Sequence, residues 1–163
     1  MEINLRGTFL CARAVLPSMV ARRHGRIINT SGGGSTRPMP YFSAYPSSKA
    51  AILRLTDTLA LETKEYSISV FAISVGPART EIMAHIMNSN AGQKWFPEGQ
   101  TWLSKPEVWV PVERAGELVV FLASGKADVL SGRLFGSSDN EAELVRRAEE
   151  IQKGDLYTLR LRK

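Results

Sequence analysis

Apolar residues recur at Ile3, Leu5, Phe9, Leu10, Val15, Leu16, Met19 and Val20, close to the helical period, and predict one long helix over 4–23. Gly25 stops it, and the β-branched pair Ile27-Ile28 within 26–31 reads as a buried strand. That strand runs into a loop marked by Gly32, Gly33, Gly34, Ser35, Pro38 and Pro40. Ala51, Ile52, Leu55, Leu59 and Leu61 predict a second helix over 45–66, with Pro46 tolerable in its first turn. A second strand follows over 68–74. After Gly76 and Pro77 the periodicity weakens until Pro111, in a stretch that holds Trp95, Trp102 and Trp109. A third helix is predicted over 111–124, a short strand over 132–136 and a charged helix over 141–153. The alternation over 156–162 reads as an edge strand.

Strands alternating with helices imply an α/β fold with right-handed crossovers and a parallel sheet flanked by helices. Ligands of such sheets sit at the carboxyl ends of the strands, here the loops over 31–44 and 76–80. No repeat or linker divides the chain, so a single domain over 1–163 is expected.

With 163 residues, 44% hydrophobic and 23% charged, the chain has the composition of one globular domain rather than of a disordered or collagen-like protein. The lone Cys11 forms no intrachain disulfide and favours a reducing compartment, hence a cytoplasmic location. The net charge of +5 invites a nucleic-acid partner. However, its clusters, Arg22, Arg23, His24 and Arg26 and then Arg160, Arg162 and Lys163, carry no interleaved aromatics and read as solvated helix ends. The arginine-rich start has the look of a transit peptide, but a folded amphipathic helix accounts for it as well. The apolar stretch 7–21 is broken by Arg13 and Pro17 and falls short of the ~20 residues of a membrane span. His24 and His85 stand alone, so no metal site is expected. The glycine run is no dinucleotide fingerprint: a motif starting at Gly32 wants a glycine where Arg37 stands.

Tyr45 and Lys49 are four residues apart at the start of a helix, which puts them on one face. A nearby ammonium favours phenolate and draws the phenol from its ordinary value near 10 toward neutrality. The positive end of the helix adds to this. A tyrosine so tuned can act as general acid or base on a carbonyl or alcohol.

The segments Asn4-Leu5-Arg6-Gly7-Thr8, Gly25-Arg26-Ile27-Ile28-Asn29-Thr30-Ser31, Tyr45-Pro46-Ser47-Ser48-Lys49-Ala50-Ala51 and Val75-Gly76-Pro77-Ala78-Arg79-Thr80 resemble, in order and spacing, the short-chain dehydrogenase/reductase family. Phe121-Leu122-Ala123-Ser124 and Leu130-Ser131-Gly132-Arg133 match as well. The resemblance implies a Rossmann-type fold and an NAD- or NADP-dependent oxidoreductase acting on a small carbonyl or alcohol. It makes Tyr45 the acid/base and Lys49 the residue that tunes it and holds the nicotinamide ribose. It gives Asn4 a supporting role, and Gly76, Pro77 and Thr80 contact with the nicotinamide. The family's substrate-binding serine would fall on Gly32; Ser31, one residue earlier, is the candidate replacement, with Ser35 the other. Val75 stands where the family more usually has proline.

The family's opening strand and glycine-rich phosphate turn have no counterpart, so the chain resembles the family's C-terminal two-thirds, with the N-terminal βαβ half missing. A truncated enzyme with weakened cofactor binding is expected; the alternative is a non-catalytic remnant serving as an interaction or assembly module. The first strand should then present a bare edge. The family likeness also makes 81–110 a lid, whose Met83, Met87, Trp95, Phe96, Trp102 and Trp109 suit a bulky or aromatic substrate. It implies a homo-oligomer formed through helices 4–23 and 45–66.

Overall fold

A computed structural model describes residues 1–161. Arg162 and Lys163, part of the basic tail cluster and the end of the expected last strand, lie outside the described residues.

The fold is built around β2 (Ile68–Ser74), a mostly apolar run, with Ser69 its one buried polar residue, that is buried over six of its seven positions. Such a run suits the centre of a parallel sheet covered on both faces. β1 (Gly25–Thr30) and β3 (Leu134–Gly136) flank it, both parallel, giving the order β1-β2-β3. Gly25 pairs with Ile68 and Thr30 with Ile73 on one side, and Ala72 with Leu134 on the other. The strands expected over 26–31, 68–74 and 132–136 are therefore present, and β1 lies at the end of the sheet with β2 on one side only.

Alternation along β2 divides the core. Ile68 and Val70 face α1 (Gly7–Ala21) and α2 (Ala44–Glu62), where they meet Ala12, Leu59 and Ala60. Phe71 and Ile73 face the opposite side, against Leu118 and Leu122 of α6 (Val112–Ala123) and Phe135 of β3. Phe71 and Phe135 are wholly buried, each burial stabilising by about 1.5–3 kcal/mol.

The predicted first helix begins as a π-helical turn, Glu2–Arg6, before α1 takes over. Pro17 stays inside α1, which leaves much of its apolar surface, including Phe9, Leu10 and Val15, exposed. The stretch after Gly76 contains three short helices, α3 (Glu81–Asn88), α4 (Asn90–Trp95) and α5 (Pro97–Leu103), and a 3-10 turn at Pro106–Val108. Elements this short show little periodicity; their starts are set by caps at Thr80 and Ser89 and by Pro97 in a first turn.

Two expectations need correction. The helix over 141–153 is two helices, α7 (Glu141–Arg146) and α8 (Ala148–Lys153), because Arg147 leaves helical geometry. Over the described residues 155–161 there is no strand: Asp155 and Tyr157 have φ of 46° and 62°, which breaks an extended run. The Tyr157 carbonyl reaches the outer side of β3, accepting from the Leu134 N–H at 3.0 Å. Among the described residues, no helix is long and apolar enough to cross a membrane.

Candidate active site

The chain leaves β1 at Thr30, turns through a 3-10 segment at Gly33–Ser35, and enters α2 close to the end of that strand. The Tyr45 N–H donates to the Phe42 carbonyl at 2.8 Å, so the entry into α2 is anchored by the loop before it. Lys49 lies one turn further on, almost buried, and its ammonium donates to the Thr30 carbonyl at 3.0 Å. Its Nζ is 5.8 Å from the centre of the Tyr45 ring. Asn4, in the π-helical turn, donates to Ser48 Oγ at 3.0 Å, and Ser48 donates to the Tyr45 carbonyl at 2.7 Å. Asn4, Tyr45 and Lys49 are thus joined through Ser48 and the backbone of α2.

The electrostatics differ from the simple tyrosine–lysine expectation. Burial pushes the Tyr45 phenol up and the Lys49 ammonium down. With the amine engaged by a backbone carbonyl, desolvation rather than the lysine's charge dominates, and the phenol is protonated at neutral pH.

Neither serine beside Gly32 offers a free hydroxyl. Ser31 is 2% exposed and donates to the Lys49 carbonyl at 3.2 Å. Ser35 donates to the Gly32 carbonyl at 2.7 Å. In this structure both hydroxyls are thus engaged by backbone carbonyls.

Gly76 follows β2 with φ of +71°, and a Cβ there would lie 2.7 Å from Val110 Cγ2, so both backbone and packing call for glycine. The Pro77 carbonyl accepts from the Val110 N–H at 2.8 Å, and Thr80 Oγ1 caps α3 by accepting from the Met83 N–H at 3.3 Å. Outside β1, between its open edge and α1, runs a groove of about 490 Å³ that takes in Asn4, Thr8, Thr30 and Lys49; Tyr45 does not line it.

The aromatic residues of 81–110 form a ladder rather than an open wall. Phe96 stands edge-on to Phe42 and to Trp102, each at 5.2 Å, and Trp102 meets Trp109 at 6.3 Å. Tyr41 and Trp95 pair at 4.8 Å, so the loop before α2 is packed against this segment.

Two participants escaped the sequence reading. Ser48 could have been found from its place three residues after Tyr45 on the same helix. The Thr30 carbonyl could not, because a backbone acceptor carries no residue signature.

The family model for short chain dehydrogenase matches residues 1–91. A short chain dehydrogenase of Monascus purpureus is 31% identical over 160 residues, covering 98% of this chain and 50% of its own length. Among solved structures, a gluconate 5-dehydrogenase from Burkholderia cenocepacia J2315, in complex with NADP and tartrate, is 28% identical with a TM-score of 0.70, covering 83% of this chain and 52% of that one. A 3-oxoacyl-[acyl-carrier protein] reductase from Brucella melitensis with bound NAD is 26% identical with a TM-score of 0.65, covering 83% and 47%. The chain spans about half the length of the curated relatives it matches.

Proposed function

The chain belongs to the short-chain dehydrogenase family, and on that premise we propose that it carries the proton-transfer side of an NAD- or NADP-dependent oxidoreductase, with Tyr45 exchanging a proton with a carbonyl or alcohol oxygen. The observation that supports this most is the convergence of Asn4, Tyr45 and Lys49 through Ser48 and Thr30.

A phenol held protonated at neutral pH is in the state that donates to a carbonyl oxygen. Lys49 is fixed by Thr30 and keeps two further N–H donors for a ribose. Gly76, Pro77 and Thr80, at the end of β2, fit the nicotinamide end of the cofactor. Bound there, the cofactor supplies hydride.

The 81–110 segment, pinned by its aromatic ladder, serves as a cap that favours bulky or aromatic carbonyl compounds. A second copy is proposed to cover the apolar groove of about 380 Å³ between α1 and α2, lined by Phe9, Leu16, Pro17, Val20 and Leu59. A cytoplasmic location suits the exposed free thiol of Cys11.

The test is oxidation of reduced NAD and NADP by the purified chain with aromatic and small polar ketones. Turnover abolished by Tyr45→Phe is expected; equal turnover in that variant overturns the reading. The open edge of β1 favours one other reading, an assembly module without turnover, for which Tyr45→Phe would leave partner binding unchanged.

A further inference from the structure

The loop after β1 has an unusual relation to the tyrosine. A Cβ built on Gly32 would fall within 3.0 Å of Tyr45 Oη, a separation real side chains essentially never show, and 3.3 Å from Tyr45 Cζ. The phenol hydroxyl therefore occupies the space that any side chain at position 32 would take. Gly33, the next residue, has nothing within 4 Å of its own Cβ position. Gly34 is crowded as well, but by Met39 and Pro46, so of the three glycines Gly32 is the one that abuts Tyr45.

We propose that Gly32 is a positioning residue whose missing side chain seats the Tyr45 hydroxyl against the loop backbone. Two features hold the seat in place. Ser35 donates to the Gly32 carbonyl at 2.7 Å, and its own N–H donates to the same carbonyl at 3.0 Å, which closes the turn. On the other side, the Ser31 N–H donates to the Ile73 carbonyl at 2.8 Å and ties the loop to the end of β2. The loop is thus fixed at both ends while the tyrosine, 40% exposed, is the partner able to move. A side chain at 32 displaces the phenol outward rather than the loop inward. The seat also contributes to the burial that raises the phenol. Glycine at this position does more than omit a hydroxyl: it sets where the remaining hydroxyl stands. For catalysis this rests on the oxidoreductase reading; for the position of the phenol it does not.

The test is the ionisation of Tyr45 in the full chain, followed by NMR of isotopically labelled tyrosine and assigned with Tyr45→Phe. The variants are Gly32→Ala and, as a matched control, Gly33→Ala. In the native chain and in Gly33→Ala the phenol is expected to titrate above the ordinary value. In Gly32→Ala its midpoint falls toward about 10, as solvent reaches the displaced ring. An unchanged midpoint in Gly32→Ala, or an equal fall in Gly33→Ala, overturns the proposal. If Gly32→Ala does not fold, the double variant with Tyr45→Phe decides: recovery of the fold supports the seat, and continued misfolding refutes it. Turnover is read separately. Its absence from every chain counts against the oxidoreductase reading while the titration still decides the role of Gly32.

Discussion

The ammonium of Lys49 is bonded to the Thr30 carbonyl at 3.0 Å, a link between the second turn of α2 and the last residue of β1. It holds the amine beside the phenol without a direct bond between the two.

Lys49→Met keeps the length of the side chain but removes the charge and the bond. Loss of a group that supports acid–base chemistry is expected to lower turnover by about 10²-fold or more. Stability should move by about 1 kcal/mol or less, because removing a charge disfavoured by burial offsets the lost hydrogen bond. Steady-state kinetics beside a thermal melt checks both; a large stability loss with unchanged turnover would make Lys49 purely structural.

Tyr45 and Lys49 should shape the alkaline stability profile in opposite directions. The phenol's folded value is raised, so its contribution is complete below its ordinary value near 10 and lost as pH climbs through the folded value. The lysine's folded value is lowered. Its contribution is complete above the ordinary value near 10.5 and lost as pH falls through the folded one. Tyr45→Phe should therefore gain on the native chain as pH rises past about 10, whereas Lys49→Met should gain as pH falls below it. Melting temperatures from pH ~8 to ~11 read the slopes.

Arg26 joins Asp128 through bonds of 2.8 and 2.6 Å, tying β1 to the 3-10 turn at Asp128–Leu130. The hydrogen bonds from Arg26, outweighing burial, hold the Asp128 carboxyl below its usual range. Because the aspartate side chain is 39% exposed, solvent screening limits the pair to about 0.5–1 kcal/mol. That stability is present above the ordinary carboxylate value near 4 and lost as pH falls through the lower folded one. Asp128→Asn should thus be less stable at neutral pH, and its deficit should close below pH ~4 in denaturant melts. A constant deficit would assign the effect to packing.

Gly76→Ala should cost about 1–2 kcal/mol from the left-handed backbone alone, with more from the contact with Val110 Cγ2. Adding Val110→Ala should recover the contact part and leave the backbone part. Urea unfolding of the single and double variants separates the two, and complete recovery would show that backbone strain contributes nothing.

The central strand was legible in the sequence to the residue, because a strand buried on both faces is mostly apolar, and 68–74 departs from that only at Ser69 and Ser74. Helix α2 was legible too, since one apolar face recurs from Ile52 to Leu59 and its first turn tolerates Pro46. Over 81–110 the caps at Thr80 and Ser89 were visible as residue types, but helices of six to eight residues make too few turns for a face to emerge. The tail misled because its alternation is real, while the left-handed φ at Asp155 and Tyr157 depends on what the chain packs against.

The amino-acid order alone determined the parallel α/β architecture and the placement of Tyr45 and Lys49 one helical turn apart, since hydrophobic period and residue spacing are local properties. Only the tertiary structure decided where the lysine's proton donors go, why neither serine beside Gly32 is free, and that the phenol rests where a side chain at that glycine would stand. Those outcomes depend on backbone carbonyls and on empty volume, and neither is written in the identity of a residue.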